Sequence, residues 1–519
     1  MNSLARTSLR SSALIHAAHA AGSPPGAAAS VPSGRGLAAA LVAASLGIGL
    51  MVGCNDDHAM TPPPRDMATA DLAEPPAPDL ATQPMAVGPT LTKVAPASGP
   101  TAGGPLITLT GTNFQPGATV SFGNAQASMV KVISATQLEV TLPKNPGAFG
   151  KVAVAVTLPS GKSAMLADAF SYYASSVAFT AVTTYAVGGD PVALELVDLD
   201  NDKKLDAVAA NSGSDTLSVL LGKGGGVFGM ATSVAVAAQP MAVASTDLNG
   251  DKKPDLVVAG TYDGAVGVLL GKGDGTFGMA TKLPLISSPQ AILAGDFTGD
   301  GKADVVAASY DKGMIGLLVG QGDGTFAAGA KTTAVGRYPL ALAAADLNGD
   351  KRLDLLVANS GAGTLSVLLG KGDGTFDAKS QDVGQSPFSV TIADLNGDMK
   401  PDALVANADS NNVSVLLGKG DGTFDAKTAV NVGMGPNSVV SADFDGDGNA
   451  DLAAANFLAD SVSVFLGGGD GSFKSATTSP AGKGLFSLLA RDINSDGKPD
   501  LALVSRSDAK LLVLLNVAQ

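Results

Sequence analysis

The sequence predicts an all-β protein in two parts, a seven-bladed β-propeller preceded by a small β-sandwich, and three observations predict it. First, a nine-residue pattern, Asp-x-(Asn/Asp/Thr)-x-Asp-x-x-x-Asp, recurs seven times between residues 198 and 500. Its first Asp falls at Asp198, Asp247, Asp296, Asp346, Asp394, Asp443 and Asp492, so the copies lie 48 to 50 residues apart. Self-similarity at such a period marks a repeat architecture. Second, each repeat carries four apolar runs of strand length, such as Asp255-Leu-Val-Val-Ala259 and Thr364-Leu-Ser-Val-Leu-Leu369, bounded by Gly, Asn and Asp. Four short strands per repeat are the measure of a propeller blade. Third, a Phe stands thirty residues after six of the seven first Asp residues, at Phe228, Phe277, Phe326, Phe376, Phe424 and Phe473. The seventh would fall beyond the last residue, but Phe179 stands 49 residues before Phe228, in register and ahead of the first loop. Residues 179–187 are therefore expected to supply the fourth strand of the last blade and close the ring, which removes open strand edges.

The Asp loops are the candidate metal sites. Their residues at positions 1, 3, 5 and 9 are Asp198, Asp200, Asp202 and Asp206; Asp247, Asn249, Asp251 and Asp255; Asp296, Thr298, Asp300 and Asp304; Asp346, Asn348, Asp350 and Asp354; Asp394, Asn396, Asp398 and Asp402; Asp443, Asp445, Asp447 and Asp451; and Asp492, Asn494, Asp496 and Asp500. A hard cation such as calcium takes about six to eight oxygens, and carboxylates at positions 1, 3 and 5 of a tight turn can converge on one point. Asp, Asn and Gly also make plain turns by capping their own backbone. Twenty-one Asp residues at positions 1, 5 and 9 nevertheless crowd like charges together, which costs free energy without a counter-ion. Up to seven calcium ions are expected, in loops that run from strand to strand, since apolar runs such as Leu355-Leu356-Val357 follow position 9.

Composition narrows the function. With 65 Gly, no Trp and 4% aromatics, the core must be built from Ala, Val and Leu. Net charge is −14, and the surplus acidity sits largely in the loops, so a nucleic-acid partner, which needs a basic stripe, is not expected. The three His residues, His16, His19 and His58, lie outside any candidate domain, and the single Cys is Cys54. That excludes Ser-His-Asp, Cys-His and His-ligated zinc chemistry, and a disulfide framework.

Residues 1–36 carry Arg6, Arg10 and Arg35 among small residues, and residues 37–53 form an uncharged apolar run, the parts of an export signal. Leu50-Met51-Val52-Gly53-Cys54 resembles a bacterial lipoprotein box, which implies lipidation of Cys54; an uncleaved anchor and an ordinary secretory signal are the alternatives. Residues 1–54 are thus expected to be a signal segment. Residues 55–88, rich in Pro and lacking apolar periodicity, are expected to be an extended linker.

Residues 89–173 alternate short apolar runs with Gly and Pro turns, as in a β-sandwich. Pro96-Ala-Ser-Gly-Pro-Thr-Ala-Gly-Gly104, Leu109-Thr-Gly-Thr-Asn-Phe114, Val120-Ser-Phe-Gly123 and Ala169-Phe170-Ser171-Tyr172 resemble the IPT/TIG family of immunoglobulin-like domains. The resemblance implies an extracytoplasmic spacer or binding module with no shared catalytic residues. Residues 174–519 resemble the FG-GAP/VCBS repeats of bacterial surface proteins and of the integrin α-subunit propeller. The matching runs are Asp-Leu-Asn-Gly-Asp at 247–251, 346–350 and 394–398, Ser-Val-Leu-Leu-Gly at 218–222, 366–370 and 414–418, and Gly-Asp-Gly-Thr-Phe at 273–277, 322–326, 372–376 and 420–424. This implies seven blades, calcium in the Asp loops and ligand contacts on the opposite face.

Positions that repeat in every blade serve the blade itself, such as the Pro seven residues before each loop, replaced by Leu485 in the last. Positions that vary at the turns opposite the loops are Tyr262, Tyr310, Arg337, Tyr338, Phe388, Phe457, Phe486 and Arg506, an aromatic and Arg set suited to ligand contact. The expected function is a lipid-anchored calcium-binding surface protein of the bacterial envelope, with a protein or polysaccharide ligand outside the cytoplasm. A carbohydrate-active enzyme and a purely structural envelope protein are the alternatives; two free carboxylates would suffice for glycoside hydrolysis.

Overall fold

The computed structural model describes residues 88–518 apart from 146–149, 175, 176, 237, 263, 426 and 427. The signal segment, Cys54 and the linker up to residue 87 lie outside the described residues. Among the described residues there is no helix.

Residues 88–173 form a sandwich of two sheets. One holds Thr90–Ala95, Leu106–Thr112, Gln137–Thr141 and Val130–Ser134; the other holds Ser98–Pro100, Ser163–Tyr173, Gly150–Thr157, Thr119–Phe122 and Ala125–Gln126. Alternation along Leu106–Thr112 turns Ile107 and Leu109 inward and leaves Leu106 and Thr110 outside, as period-two strands require. Ile107, Leu109, Val120, Phe122, Leu138, Val154, Phe170 and Tyr172 fill the space between the sheets. Phe170 stands edge-on to both Phe122 and Tyr172, and the Tyr172 hydroxyl donates to the Pro143 carbonyl at 2.9 Å.

The rest of the chain forms seven four-stranded antiparallel sheets. Their innermost strands are Pro191–Val197, Pro240–Thr246, Pro289–Gly295, Pro339–Ala345, Pro387–Ala393, Pro436–Ala442 and Leu485–Arg491, taken here as blades 1 to 7. Each innermost strand contacts that of the next blade, and the seventh contacts the first. The second strands, such as Asp354–Asn359 and Asp451–Asn456, are buried along their whole length. Packing on both faces explains their unbroken runs of Ala, Val and Leu, because neighbouring blades leave no solvent side for polar alternation.

The ring closes as the Phe register predicts. Thr183–Ala186 pairs antiparallel with Lys510–Leu514 and completes blade 7, and Phe179 bridges Asn516. Position 2 of each Asp loop is a large apolar residue packed against the Phe of the following blade. Phe297 meets Phe376 edge-on at 6.3 Å, and Phe444 meets Phe179 at 6.0 Å. Ile493 of blade 7 shares a cluster with Phe228 of blade 1, so the same contact spans the closing seam.

Each inner strand is preceded by one residue in the left-handed region: Asp190, Gln239, Ser288, Tyr338, Ser386, Gly435 and Gly484, with φ between 48° and 62°. In blades 1 to 6 a Pro follows and fixes the strand's first φ, which accounts for its recurrence, and in blade 7 Leu485 takes its place. Deleting residues 174–190 should uncover the apolar strand Lys510–Leu514 and leave the protein self-associating in size-exclusion chromatography. A monomer that melts cooperatively at the intact protein's temperature would contradict closure by this strand.

Candidate functional site

The Asp loops join each inner strand to its second strand, and position 9 is the second strand's first residue. This ninth Asp is fully buried in every blade. Both of its carboxylate oxygens accept backbone N–H groups. In blade 4, Leu347 N donates to Asp354 Oδ2 at 2.8 Å and Gly370 N to Oδ1 at 2.7 Å. The same two bonds, from loop position 2 and from the residue sixteen further on, recur at Asp206, Asp255, Asp304, Asp402, Asp451 and Asp500. In blades 1 to 6 the second donor is a Gly. A Cβ there would lie 2.0 to 2.3 Å from the carbonyl oxygen just before the ninth Asp. Blade 7 uses Asn516 instead. The sequence reading made the ninth Asp a closing metal ligand, and the structure gives it a first duty as a strut between two backbone segments. Burial holds these carboxyls above the usual carboxylate range, while the amides pull the other way.

The other loop acids are wired by the backbone too. Asp346 accepts the amides of Gly349, Asp350 and Lys351, Asn348 Oδ1 accepts that of Asp350, and Asp350 Oδ1 that of Arg352. Such turns fix the side-chain oxygens on the loop's own backbone amides. Among the described residues two groups bring carboxylate oxygens within 4.8 Å of one another, close enough that they could hold a metal ion: Asp198, Asp200 and Asp206, and Asp443, Asp445 and Asp447.

Position 7, which sequence reasoning passed over, separates the loops. Lys204, Lys253, Lys302, Arg352 and Lys400 stand there in blades 1 to 5, each 2.6 to 4.0 Å from the carboxylate at position 5. Hydrogen bonds from these lysines lower the carboxyl pKa at Asp202, Asp251 and Asp398. In blade 7 Lys498 donates to the Ala518 carbonyl at 2.6 Å. Blade 6 has Asn449, and no basic residue occurs between Asp443 and Asp451. Burial, aided by the neighbouring acids, pushes Asp445 and Asp451 up to about 7.

The loops also stitch blades together. Gly324 N donates to Leu248 O, Gly374 N to Phe297 O, Gly422 N to Leu347 O and Gly471 N to Leu395 O. In each case the Gly-Asp-Gly turn of one blade holds the position-2 carbonyl of the loop before it. Asn516 Nδ2 does this for Phe444 O, at 2.8 Å.

The variable residues lie at the other ends of the same strands, and the structure divides them. Tyr310 and Tyr338 stack at 4.6 Å with Arg337 over the Tyr338 ring at 5.2 Å, joining blades 3 and 4. Tyr262 is 71% exposed, Arg337 is exposed and Phe388 is half-buried. Phe486 corrects the sequence reading, because it is fully buried in the core and packs edge-on to half-buried Phe457. It stands one residue into the inner strand, where Val192, Met241 and Leu340 are also buried, a signal the other blades already carried. Arg506 lies over the Phe486 ring and 3.9 Å from Asp190, and so belongs to the blade 7 to blade 1 seam.

One polar group was missed altogether. Glu195, on the inner strand of blade 1, is 8% exposed and accepts the Ser245 hydroxyl at 2.8 Å. Burial pushes its carboxyl up to about 7 against the opposing pull of Ser245 and Arg491.

A ring of four-stranded blades with an acid loop at every inner turn defines the class, a β-propeller with acidic loops behind a β-sandwich. The FG-GAP-like repeat model matches residues 198–258, 247–307, 296–357, 346–405, 394–454 and 443–503, and the chain belongs to that family. The IPT/TIG domain model matches residues 89–172. No curated protein matches the chain in sequence. Among solved structures, BBS1N in complex with ARL6DN is similar at 14% identity and a TM-score of 0.47, over 65% of this chain and 96% of that one. An auxiliary nutrient binding protein from Bacteroides ovatus is similar at 14% identity and a TM-score of 0.38, over 83% and 98%. Its counterpart from Bacteroides thetaiotaomicron stands at 10% identity and 0.37, over 83% and 98%.

Charge-assisted hydrogen bonds contribute about 1.5–3 kcal/mol each, and removing the acceptor strands two buried amides. Asp354→Ala should therefore cost about 3–5 kcal/mol in urea unfolding with chelator present, and Gly370→Ala should also destabilise through its carbonyl clash. A loss below about 1 kcal/mol for Asp354→Ala would contradict the strut.

Proposed function

We propose that the protein is a calcium-binding surface protein, tethered outside the cytoplasm through lipid on Cys54, whose propeller binds a protein or polysaccharide on the face opposite the Asp loops. The observation that carries this reading is the division of the ring into two faces. One repeats the same acidic turn in every blade, while the other carries Tyr262, Tyr310, Arg337 and Tyr338, which no other blade repeats. Planar rings beside a guanidinium suit sugar faces and peptide side chains alike.

Calcium is the ion the repeat family implies, and the donor set fits it. Every loop offers hard oxygens, and in blades 1 and 6 three carboxylate oxygens lie within 4.8 Å of one another, a spacing compatible with one divalent cation bound at about 2.3–2.6 Å. In blade 3, where Thr298 stands at the position that other loops fill with Asn or Asp, its Oγ1 is a buried oxygen with no hydrogen-bond partner of good geometry. Extracellular modules bind calcium at about 10⁻⁴–10⁻³ M, a range that suits loops already part-neutralised by Lys and Arg. The lipid tether rests on the apolar run 37–53 and the box ending at Cys54.

Residues 88–519 should be screened against glycan and matrix-protein arrays in millimolar calcium and again with chelator. The reading predicts a defined hit that a Tyr262→Ala, Arg337→Ala, Tyr338→Ala triple variant loses by at least tenfold. A hit that this variant retains would move the binding face elsewhere, and folded protein with no hit would favour a structural role in the envelope.

A further inference from the structure

The junction between sandwich and propeller is built on one particular Asp loop. The last sandwich strand, Ser163–Tyr173, runs straight into Ala174, whose N–H donates to the carbonyl of Asp445 at 2.6 Å. Ser171 Oγ donates to the carbonyl of Gly446 at 3.4 Å. Three residues further on, Val177 is buried in the same cluster as Phe444, and Phe179 stands edge-on to the Phe444 ring. Positions 2, 3 and 4 of the blade 6 loop, Phe444, Asp445 and Gly446, thus have their carbonyls held respectively by Asn516, the domain connector and the sandwich.

This is also the loop whose charge differs most from the rest. It has Asp at positions 1, 3, 5 and 9, and it alone of the seven has no Lys or Arg at position 7. Asp445 is only 4% exposed, and its carboxylate oxygens lie within 4.8 Å of those of Asp443 and Asp447. Repulsion among clustered carboxylates pushes a loop open unless a cation holds it. The first parts to move would be Asp445 and Gly446, whose carbonyls carry the sandwich. In blades 1 to 5 the basic residue at position 7 already offsets part of that repulsion, and no domain hangs on those loops.

We propose that the blade 6 loop is a cation-operated latch, in which calcium held by Asp443, Asp445, Asp447 and Asp451 fixes the sandwich against the propeller and calcium loss releases it. The proposal rests on the calcium reading above. Coupling of this kind is reciprocal, so a break on the sandwich side must weaken the ion's hold by the same factor by which the ion strengthens docking.

The test uses the full-length chain carrying Cys54→Ser, with dyes on Ser160→Cys in the sandwich and Ser380→Cys in blade 4, both exposed. Single-molecule energy transfer reports the inter-domain distance, and equilibrium dialysis with radioactive calcium reports ions bound. The latch predicts a single narrow distance in millimolar calcium and a broad distribution in chelator. Asp445→Asn with Asp447→Asn should broaden the distribution in calcium and remove one ion, whereas Asp398→Asn in blade 5 should leave the distance narrow. Ala174→Pro, which deletes the donor to Asp445, should broaden the distance and weaken the tightest calcium site at least fivefold. Calcium bound at other loops with a distance that stays narrow in the Asp445/Asp447 variant would overturn the latch and leave the calcium reading standing. An unmodified chain that binds no calcium would overturn both.

Discussion

A buried carboxylate clamped between two backbone amides is the interaction on which the propeller depends. The ninth Asp of each loop ties the loop's second residue to the end of the blade's third strand, and does so in all seven blades. Fixing position 2 fixes its apolar side chain, which is the surface that receives the next blade's Phe, and its carbonyl, which receives the next blade's turn. The strut within a blade therefore sets the joint between blades. A net value near 1 kcal/mol for an ordinary hydrogen bond understates such a site, since losing the acceptor leaves two amides dry.

Much of this was legible because the repeat supplies its own comparison. The period, the blade count, the Pro that opens six of the seven inner strands and the closing role of residues 179–187 all follow from matching positions within one chain, and the structure places each where the pattern puts it. The ninth Asp was legible as a position but not as a strut, because its partner Gly lies sixteen residues away and the bond between them is set by strand pairing. Phe486 was misread for a related reason. It looked like surface variation, whereas the same strand position is buried in blades 1, 2, 3, 4 and 6 as Val192, Met241, Gln290, Leu340 and Asn437, and is half-buried only at Phe388 of blade 5. Glu195 gave no sequence signal, since its partners Ser245 and Arg491 come from different blades.

The seven loops share a backbone and differ in charge. In blades 1 to 5 a basic side chain at position 7 lies beside the position-5 carboxylate and part-neutralises the loop. Blade 6 gives up that neutralisation and buries Asp445 next to the domain connector, a costly arrangement for a charged group without a counter-ion. The fold's symmetry thus supplies seven similar frames, and departures from symmetry assign them different work. On the far face the same holds for Tyr310, Arg337 and Tyr338, with Tyr338 in a left-handed turn that other blades fill with Asp, Gln, Ser or Gly.

Amide hydrogen exchange at Leu347 and Gly370 tests the central claim most directly, because those two N–H groups are the ones clamped by Asp354. The account predicts that both exchange only through global unfolding, with calcium or without it. Exchange at the rate of the turn amide of the exposed Asp373, in protein that stays folded, would contradict it.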